Sequence, residues 1–302
     1  MIQYSRIEVL RPTNVQQALR WLQEAAAKGE PLRPMAGCTD IFVDANSGRL
    51  KWTKFIDLWG LRFALGDLEW ALQGAVEPDS LEIGALATYG DLLADPRACT
   101  ELPTLACASS MVGATQIQAR GTFAGNVENG SPAADAVPVL MAMDAHVRLA
   151  SVRGIREIPL HTYYKGYRQT QRADDEMITA IILPHQDVGP RGHFFRKVGT
   201  RAFQAITKVG LAARIHWRDD AICDARVVAV SMAATITRCA HLEQALVGLE
   251  RVDDSARDKI REAQNLDLKP ISDVRSTGRY RREVFFRLVC QAVGETHPSA
   301  AN

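Results

Sequence analysis

Two short stretches combine residue types that can hold an anionic ligand. The first is Pro34-Met35-Ala36-Gly37-Cys38-Thr39-Asp40, directly after a predicted buried strand. The second is Gly121-Thr122-Phe123-Ala124-Gly125-Asn126-Val127-Glu128-Asn129-Gly130-Ser131-Pro132-Ala133-Ala134-Asp135. Small residues let backbone N–H groups approach a ligand with no Cβ in the way, and Thr, Asn and Ser add side-chain donors. Consecutive turn amides form nests that suit phosphate oxygens. Each hydrogen bond to a charged acceptor contributes about 1.5–3 kcal/mol. Two such loops facing each other could hold a pyrophosphate without any lysine. Taken singly, each is also what an ordinary tight turn looks like. The fingerprints G-x-G-x-x-G and G-x-x-x-x-G-K-[ST] are absent from the sequence, so a dinucleotide would need another architecture.

The elements that must position these loops follow from periodicity. Thr13 is the expected N-cap of a first helix, with Gln16 completing a capping box and Val15, Ala18, Leu19, Leu22, Ala25 and Ala26 at helical spacing. Leu32 to Ala36 reads as a strand, Gly37 to Asp40 as a turn into a short helix, and Lys54 to Leu58 as another strand. A second unit holds a strand at Leu81 to Ala85, a helix capped by Thr88 with Asp91, and a helix over Pro103 to Val112. Arg120 to Pro132 shows no periodicity and reads as a structured functional loop, with Ser131-Pro132 as N-cap and N1 of the next helix. His146 to Ala150 and Ile155 to Leu160 form a predicted hairpin, and Met177 to Leu183 a further strand.

The Pro-, Gly- and polar-rich run His185 to Gly192 is the expected domain boundary. Beyond it come three strand-like segments, Phe194 to Val198, Thr207 to Trp217 and Ala225 to Thr237, then two charged helices. A last amphipathic helix over Thr277 to Val293 is expected to bury Tyr280, Phe285, Leu288, Val289 and Ala292. The predicted domains are 1–58, 59–186 and 190–295, with 296–302 a frayed tail.

Five of these segments resemble motifs of one family in the same order. Ala36-Gly37-Cys38-Thr39-Asp40 is similar to the "AGGTD" of the FAD-binding medium subunits of molybdenum hydroxylases, the xanthine dehydrogenase and carbon monoxide dehydrogenase family. Gln116-Ile117-Gln118-Ala119-Arg120-Gly121-Thr122-Phe123-Ala124-Gly125-Asn126 resembles its "QIRNRGTIGGN", and Asn129 to Asp135 its "NASPAAD". The pattern returns at Phe195-Arg196-Lys197-Val198-Gly199-Thr200-Arg201 and at Asp273-Val274-Arg275-Ser276, so the likeness is collinear from Pro12 to Val293.

The resemblance implies an α+β fold: a two-lobed FAD-binding domain of the vanillyl-alcohol-oxidase/PCMH type, then a C-terminal domain with a three-stranded antiparallel sheet packed on helices. It implies that Met35, Ala36, Gly37, Cys38, Thr39, Asp40 and Ile41 wrap the FAD pyrophosphate. Gly121, Thr122, Ala124, Gly125, Asn126, Asn129 and Ser131 would bind phosphates and ribityl chain from the other side. By the same likeness Asp135 stands near the adenosine part, Ile178 packs on the isoalloxazine ring, and Lys197 stands near the flavin carbonyl edge, where a cation favours the anionic reduced flavin. Read alone, Ile178 is more often a core strand residue and Lys197 more often a solvated lysine. Asp135 would likewise suit the first turn of a helix after Pro132. Arg275 and Arg281-Arg282 read as a solvated or partner-facing surface. The sequence departs from the family at Cys38, at Ala124 and at Gln118-Ala119. Ala124 requires a negative φ, since a Cβ at φ > 0 costs roughly 1 kcal/mol.

Composition bounds the rest. The 36 basic and 35 acidic residues leave no bulk field for nucleic acid or an anionic membrane. The longest apolar stretches, such as Ala136 to Ala145, fall short of the roughly 20 residues of a membrane span. Met1 to Arg6 lacks the pattern of a signal peptide, which makes a cytoplasmic protein the expectation. The cysteines at 38, 99, 107, 223, 239 and 290 include no C-x-x-C pair and no tight set of four, so no metal site is expected on this chain. By resemblance, molybdopterin and [2Fe–2S] clusters belong to partners: a small iron–sulfur subunit and a large molybdopterin-binding subunit, arranged as a dimer of heterotrimers. The implied role is electron transfer from those clusters through FAD to NAD⁺, O₂ or a quinone. A stand-alone flavoenzyme of the same architecture and a flavin-free scaffold subunit remain the alternatives at this point.

Overall fold

The computed structural model describes residues 7–70, 80–186, 189, 192–202 and 204–301. The sequence readings at 1–6 and at residues 187, 188, 190 and 191 of the expected boundary lie outside the described residues.

The first part alternates β1 (Glu8–Leu10), α1 (Val15–Ala27), β2 (Arg33–Met35), α2 (Thr39–Asn46) and β3 (Lys54–Asp57). Its strands form a parallel sheet in the order β1-β3-β2, the geometry that helical crossovers permit. Helix α1 is capped by Asn14, whose Oδ1 accepts from Gln17 N at 2.9 Å, one residue beyond the expected Thr13 cap. Thr13 N instead donates to Gln17 Oε1 at 2.7 Å, one residue before the cap, so the expected reciprocal box with Gln16 does not form. Ala18, Leu19 and Leu22 bury the face that packs on the sheet. At the start of α2, Cys38 holds φ 63° and ψ 8°, left-handed backbone that glycine adopts without cost.

A 3₁₀ turn (Trp59–Leu61) leads through α3 (Arg62–Leu65) to β4 (Leu68–Trp70) and β5 (Leu81–Gly84). Thr88 and Asp91 form the expected capping box of α4 (Tyr89–Ala94). Arg62 locks it, donating from Nη2 to both Asp91 carboxylate oxygens at 2.6 Å. Then follow α5 (Pro96–Glu101), α6 (Pro103–Ser110), α7 (Thr115–Gln118), α8 (Phe123–Asn129) and α9 (Val137–Ala142). Helix α8 lies inside the stretch expected to lack regular structure; seven residues are too few for a periodic signal. Thr122 caps it, accepting from Gly125 N at 3.0 Å, and Gly130 ends it at φ 61°. Ser131-Pro132 does not open a helix. The chain turns there, Ala133 N donates to Ser131 Oγ at 3.3 Å, and α9 begins at Val137.

The hairpin β6 (His146–Ser151) and β7 (Gly154–Pro159), α10 (Leu160–Tyr163), the small ribbon β8 (Tyr164–Gly166) with β9 (Gln169–Thr170), and β10 (Met177–Leu183) complete this part. Its antiparallel sheet runs β4-β5-β10-β6-β7. Leu81, Ile83, Leu149 and Ile181 from this sheet pack with Phe123, Val127 and Leu140 in one core.

The third part has a four-stranded antiparallel sheet where three strands were expected: β11 (His193–Val198), β12 (Val209–Arg218), β13 (Ala221–Val230) and β14 (Thr237–Arg238), in that order. Ser231, at φ 59°, breaks the third predicted segment, and the chain re-enters the sheet at Thr237. Helices α11 (Ala240–Leu246), α12 (Asp254–Asp267) and α13 (Gly278–Thr296) cover one face. In α13, Phe285, Leu288, Val289 and Ala292 are buried as expected, but Tyr280 is 45% exposed. Its place inside is taken by Arg281, which the sequence placed at the surface and which is 4% exposed. The tail expected to fray starts instead within α13 and continues as a 3₁₀ turn (Pro298–Ala301); Thr296 is buried and accepts from Trp217 Nε1 at 3.1 Å. No helix among the described residues is long and apolar enough to cross a membrane.

Asp144, in the turn between α9 and β6, ties the second part to the third. Its carboxylate accepts from Arg214 Nη2 at 3.1 Å, Arg226 Nε at 3.1 Å and Arg238 Nη1 at 3.2 Å. Asp144→Asn leaves Arg214 and Arg226 to share Asp224 and leaves Arg238 with Glu243, and should cost about 2 kcal/mol, read as a lower urea midpoint with unchanged m. Cys38→Gly should stabilise by up to about 1 kcal/mol, read as a raised Tm, because it removes a Cβ from left-handed backbone.

Candidate functional site

The first loop leaves β2 at Met35, whose carbonyl accepts from Leu58 N at 2.9 Å, and turns through Ala36, Gly37 and Cys38 into α2. The second loop approaches it backbone to backbone. A Cβ on Gly37 would stand 1.7 Å from Arg120 O and 3.3 Å from Gly121 N. Glycine is therefore obligatory at 37 for the loops to meet. Cys38 Sγ lies 3.4 Å from Ala36 O, and burial, then Asp57, pushes its thiol pKa up, which keeps the group neutral beside the loop. Thr39 and Asp40 open α2, and Ile41 is half-buried on its first turn.

The second loop is held from beneath by the exit of β5. Tyr89 N donates to Gly121 O at 3.2 Å and Phe123 N to Ala87 O at 3.3 Å, and Thr88 bridges to Thr122. The Tyr89 and Phe123 rings meet edge to face at 4.7 Å. Gly121 packs on Tyr89, and Gly125 stands against Thr122 Oγ1, where a Cβ would be 2.8 Å away. Ala124 lies within α8 and so has the negative φ it requires. Asn126 and Asn129 follow on α8, and Ser131 lies just past its end. Two buried polar atoms here have no partner: Asn126 Oδ1 and the Tyr89 hydroxyl.

Lys197 and Asp135, assigned by resemblance to opposite ends of a dinucleotide, are in direct contact. Lys197 Nζ donates to Asp135 Oδ2 at 2.5 Å, and the side chains are 6% and 13% exposed. Thr207 Oγ1 donates to Asp135 Oδ1 at 2.7 Å, and Lys197 also reaches Met111 O at 3.3 Å. Lys197 is thus a buried ion-pair partner rather than a solvated lysine, and the two residues cannot stand at opposite ends of one ligand. Burial pushes the Asp135 carboxyl up, while Lys197 and Thr207 pull it back down. Ile178 is 7% exposed on β10, opposite Leu149, beside a bulge between Ile178 and Ala180. It shares the core of Phe123 and Val127, at the back of α8.

Several contacts around the site carried no sequence signal. Glu128 accepts from Tyr163 OH at 2.7 Å and from Arg172 Nε at 2.7 Å, and Tyr164 OH donates to Val127 O at 3.0 Å. These contacts fix α8 from its far side. Thr207 and Arg172 come from 72 and 44 residues away in the chain, beyond any local pattern. Tyr89 alone had a pointer, standing next to the capping residue Thr88.

A glycine-only close approach between two loops and two unpartnered buried oxygens fit a ligand that lays its backbone along both loops, as FAD would. Among the described residues, no group of three or more His, Cys, Asp or Glu side chains is arranged to hold a metal ion.

Comparison with known proteins identifies the domains that carry these loops. Residues 5–186 match the family model described as "FAD binding domain in molybdopterin dehydrogenase", and residues 194–296 match "CO dehydrogenase flavoprotein C-terminal domain". The chain is 30% identical to the nicotinate dehydrogenase FAD-subunit of Eubacterium barkeri over 219 residues, 72% of this chain and 71% of that one. It is 26% identical to the carbon monoxide dehydrogenase medium chain of Afipia carboxidovorans over 97% of both chains. A chain of the reconstituted CO dehydrogenase from Oligotropha carboxidovorans has the same fold, with TM-score 0.85, 23% identity and coverage of 96% of this chain and 97% of that one. The protein belongs to the family that carries the FAD-binding domain of molybdopterin dehydrogenases.

Proposed function

We propose that this chain is the FAD-binding electron-transfer subunit of a molybdenum-containing hydroxylase. In this reading it takes electrons from [2Fe–2S] clusters on a small partner subunit, while a large partner holds the molybdopterin and the substrate. The complex is a cytoplasmic dimer of heterotrimers, and the chain divides at residues 58 and 186–190. The observation that carries the reading is the bare-backbone contact between the two loops at Gly37 and Arg120.

Met35 to Ile41 would hold the FAD pyrophosphate from one side. Gly121, Thr122, Ala124, Gly125, Asn126, Asn129 and Ser131 would hold phosphates and ribityl chain from the other. Bound FAD supplies the capacity to accept electrons singly and release them in pairs. The chain binds the cofactor, keeps water from its buried side and sets the local charge. Lys197 presents a cation already matched by Asp135, so the site carries a dipole more than a free positive charge. The departures at Cys38 and Ala124 do not argue for a flavin-free scaffold. One sits in a helix, and the other keeps the left-handed turn that a glycine would make.

FAD added to the purified chain should persist through gel filtration at one equivalent and give the flavin visible band. Purification from the native source should bring down untagged partners containing molybdenum and iron. Gly37→Ala should weaken FAD binding at least about tenfold, since the loops must part to admit the Cβ. A wild-type chain with no flavin band after FAD addition overturns the reading; a flavin-loaded chain that turns over substrate alone replaces it with a stand-alone flavoenzyme.

A further inference from the structure

The segment after α8 that carries Ser131 and Asp135 is gripped by the C-terminal sheet. Ser231 N donates to Pro132 O at 2.8 Å, and Ser231 Oγ donates to Thr207 O at 2.8 Å. Thr207 Oγ1 in turn donates to Asp135 Oδ1 at 2.7 Å, and Asp135 Oδ2 receives Lys197. Ser231 is thus the residue from which both arms of the clasp start, one from its backbone N–H and one from its hydroxyl. It stands at φ 59°, a conformation that costs a non-glycine residue about 1 kcal/mol and persists only where its surroundings impose it.

Arg281 imposes it. From α13 its Nη1 donates to Ser231 O at 2.6 Å and its Nη2 to Asp273 Oδ1 at 2.8 Å. Asp273 is itself fixed, accepting from the backbone N–H groups of Arg275 at 2.9 Å and Ser276 at 3.0 Å. The Arg281 side chain is 4% exposed, against 27% for Asp273. A buried ion pair is a poor source of stability, because apolar side chains of similar volume often serve as well or better. A rigid fork of donors can do what they cannot: hold one particular carbonyl in one place.

We infer that Arg281 is a positioning residue for the cofactor, setting through Ser231 and Thr207 where Asp135 and Lys197 stand against bound FAD. This inference rests on the proposed FAD site. The relay runs Asp273, Arg281, Ser231, Thr207, Asp135, Lys197, and joins a surface turn of the C-terminal part to the second loop.

The test uses the full chain with Arg281→Met, Arg281→Lys and Thr207→Val, each loaded with FAD. Arg281→Met should raise the FAD dissociation constant about tenfold and alter the visible band of bound flavin. Arg281→Lys, which can serve one of the two acceptors, should fall between it and wild type. Thr207→Val cuts the relay at its far end and should give the same spectral change. The double variant Arg281→Met with Thr207→Val should be no worse than the more severe single variant. If Arg281→Met does not fold, Thr207→Val and Ser231→Ala carry the same readout. A lowered Tm for FAD-free Arg281→Met with unchanged affinity and flavin spectrum overturns the inference and leaves Arg281 a scaffold residue. A wild-type chain that binds no FAD overturns the site itself, a different and earlier failure.

Discussion

The molecule is organised around one contact in which no side chain takes part: the Cα of Gly37 against the carbonyl of Arg120. A methyl group there would overlap the carbonyl oxygen, so the two loops can meet only as bare backbone. Everything near it serves to bring those backbones together. The parallel sheet sends β2 straight at the second loop, and the capping box at Thr88 and Asp91 fixes the floor on which Gly121 and Phe123 rest. The Tyr89 ring fills the space beneath Gly121 and meets Phe123 edge to face. The sequence near the contact is rich in small residues because larger ones would separate the loops.

Around this apolar centre the buried charges are placed for direction. Glu128 with Arg172 holds the far side of α8, Asp135 with Lys197 holds the segment beyond it, and Asp144 gathers three arginines from the C-terminal sheet. Desolvation cancels much of the Coulomb gain of such pairs, so none is a strong source of folding energy. What they share is reach: each joins elements far apart in the chain, and each ends on a backbone or carboxylate that must stay in one place. Removing one partner costs far more than the pair contributes, which makes these networks exacting about geometry.

This division explains what the sequence could reveal. Local signals were readable: the strand and helix rhythm around Gly37, the box at Thr88, the hairpin turning at Arg153-Gly154, and the apolar stripe of α13. They depend on residues within a few positions of one another. Helix α8 escaped because two turns hold too few residues to show a period, and its Gly, Asn and Thr content reads as loop. The strand break at Ser231 escaped because the left-handed serine is held by tertiary contacts to Pro132, Thr207 and Arg281, none of them local in sequence. Lys197 read as a surface lysine since its partner Asp135 lies 62 residues away. Arg281 was misplaced for the same reason: a lone arginine in a basic run says nothing of a carbonyl fifty residues upstream.

The two departures from the family's glycines differ in kind. Ala124 costs nothing, because its position is helical, and alanine is the best helix former. Cys38 carries about 1 kcal/mol of strain in the loop proposed to wrap the pyrophosphate. A ligand that binds only the folded state contributes RT ln(1 + [L]/Kd), about 2.7 kcal/mol at a hundredfold excess over Kd. That exceeds the strain, so in the presence of cofactor the cysteine has little effect on whether the chain folds. Its weight falls on the apo state instead. In the proposed site FAD would bridge this turn, so its strain would couple the order of the loop to occupancy of the site.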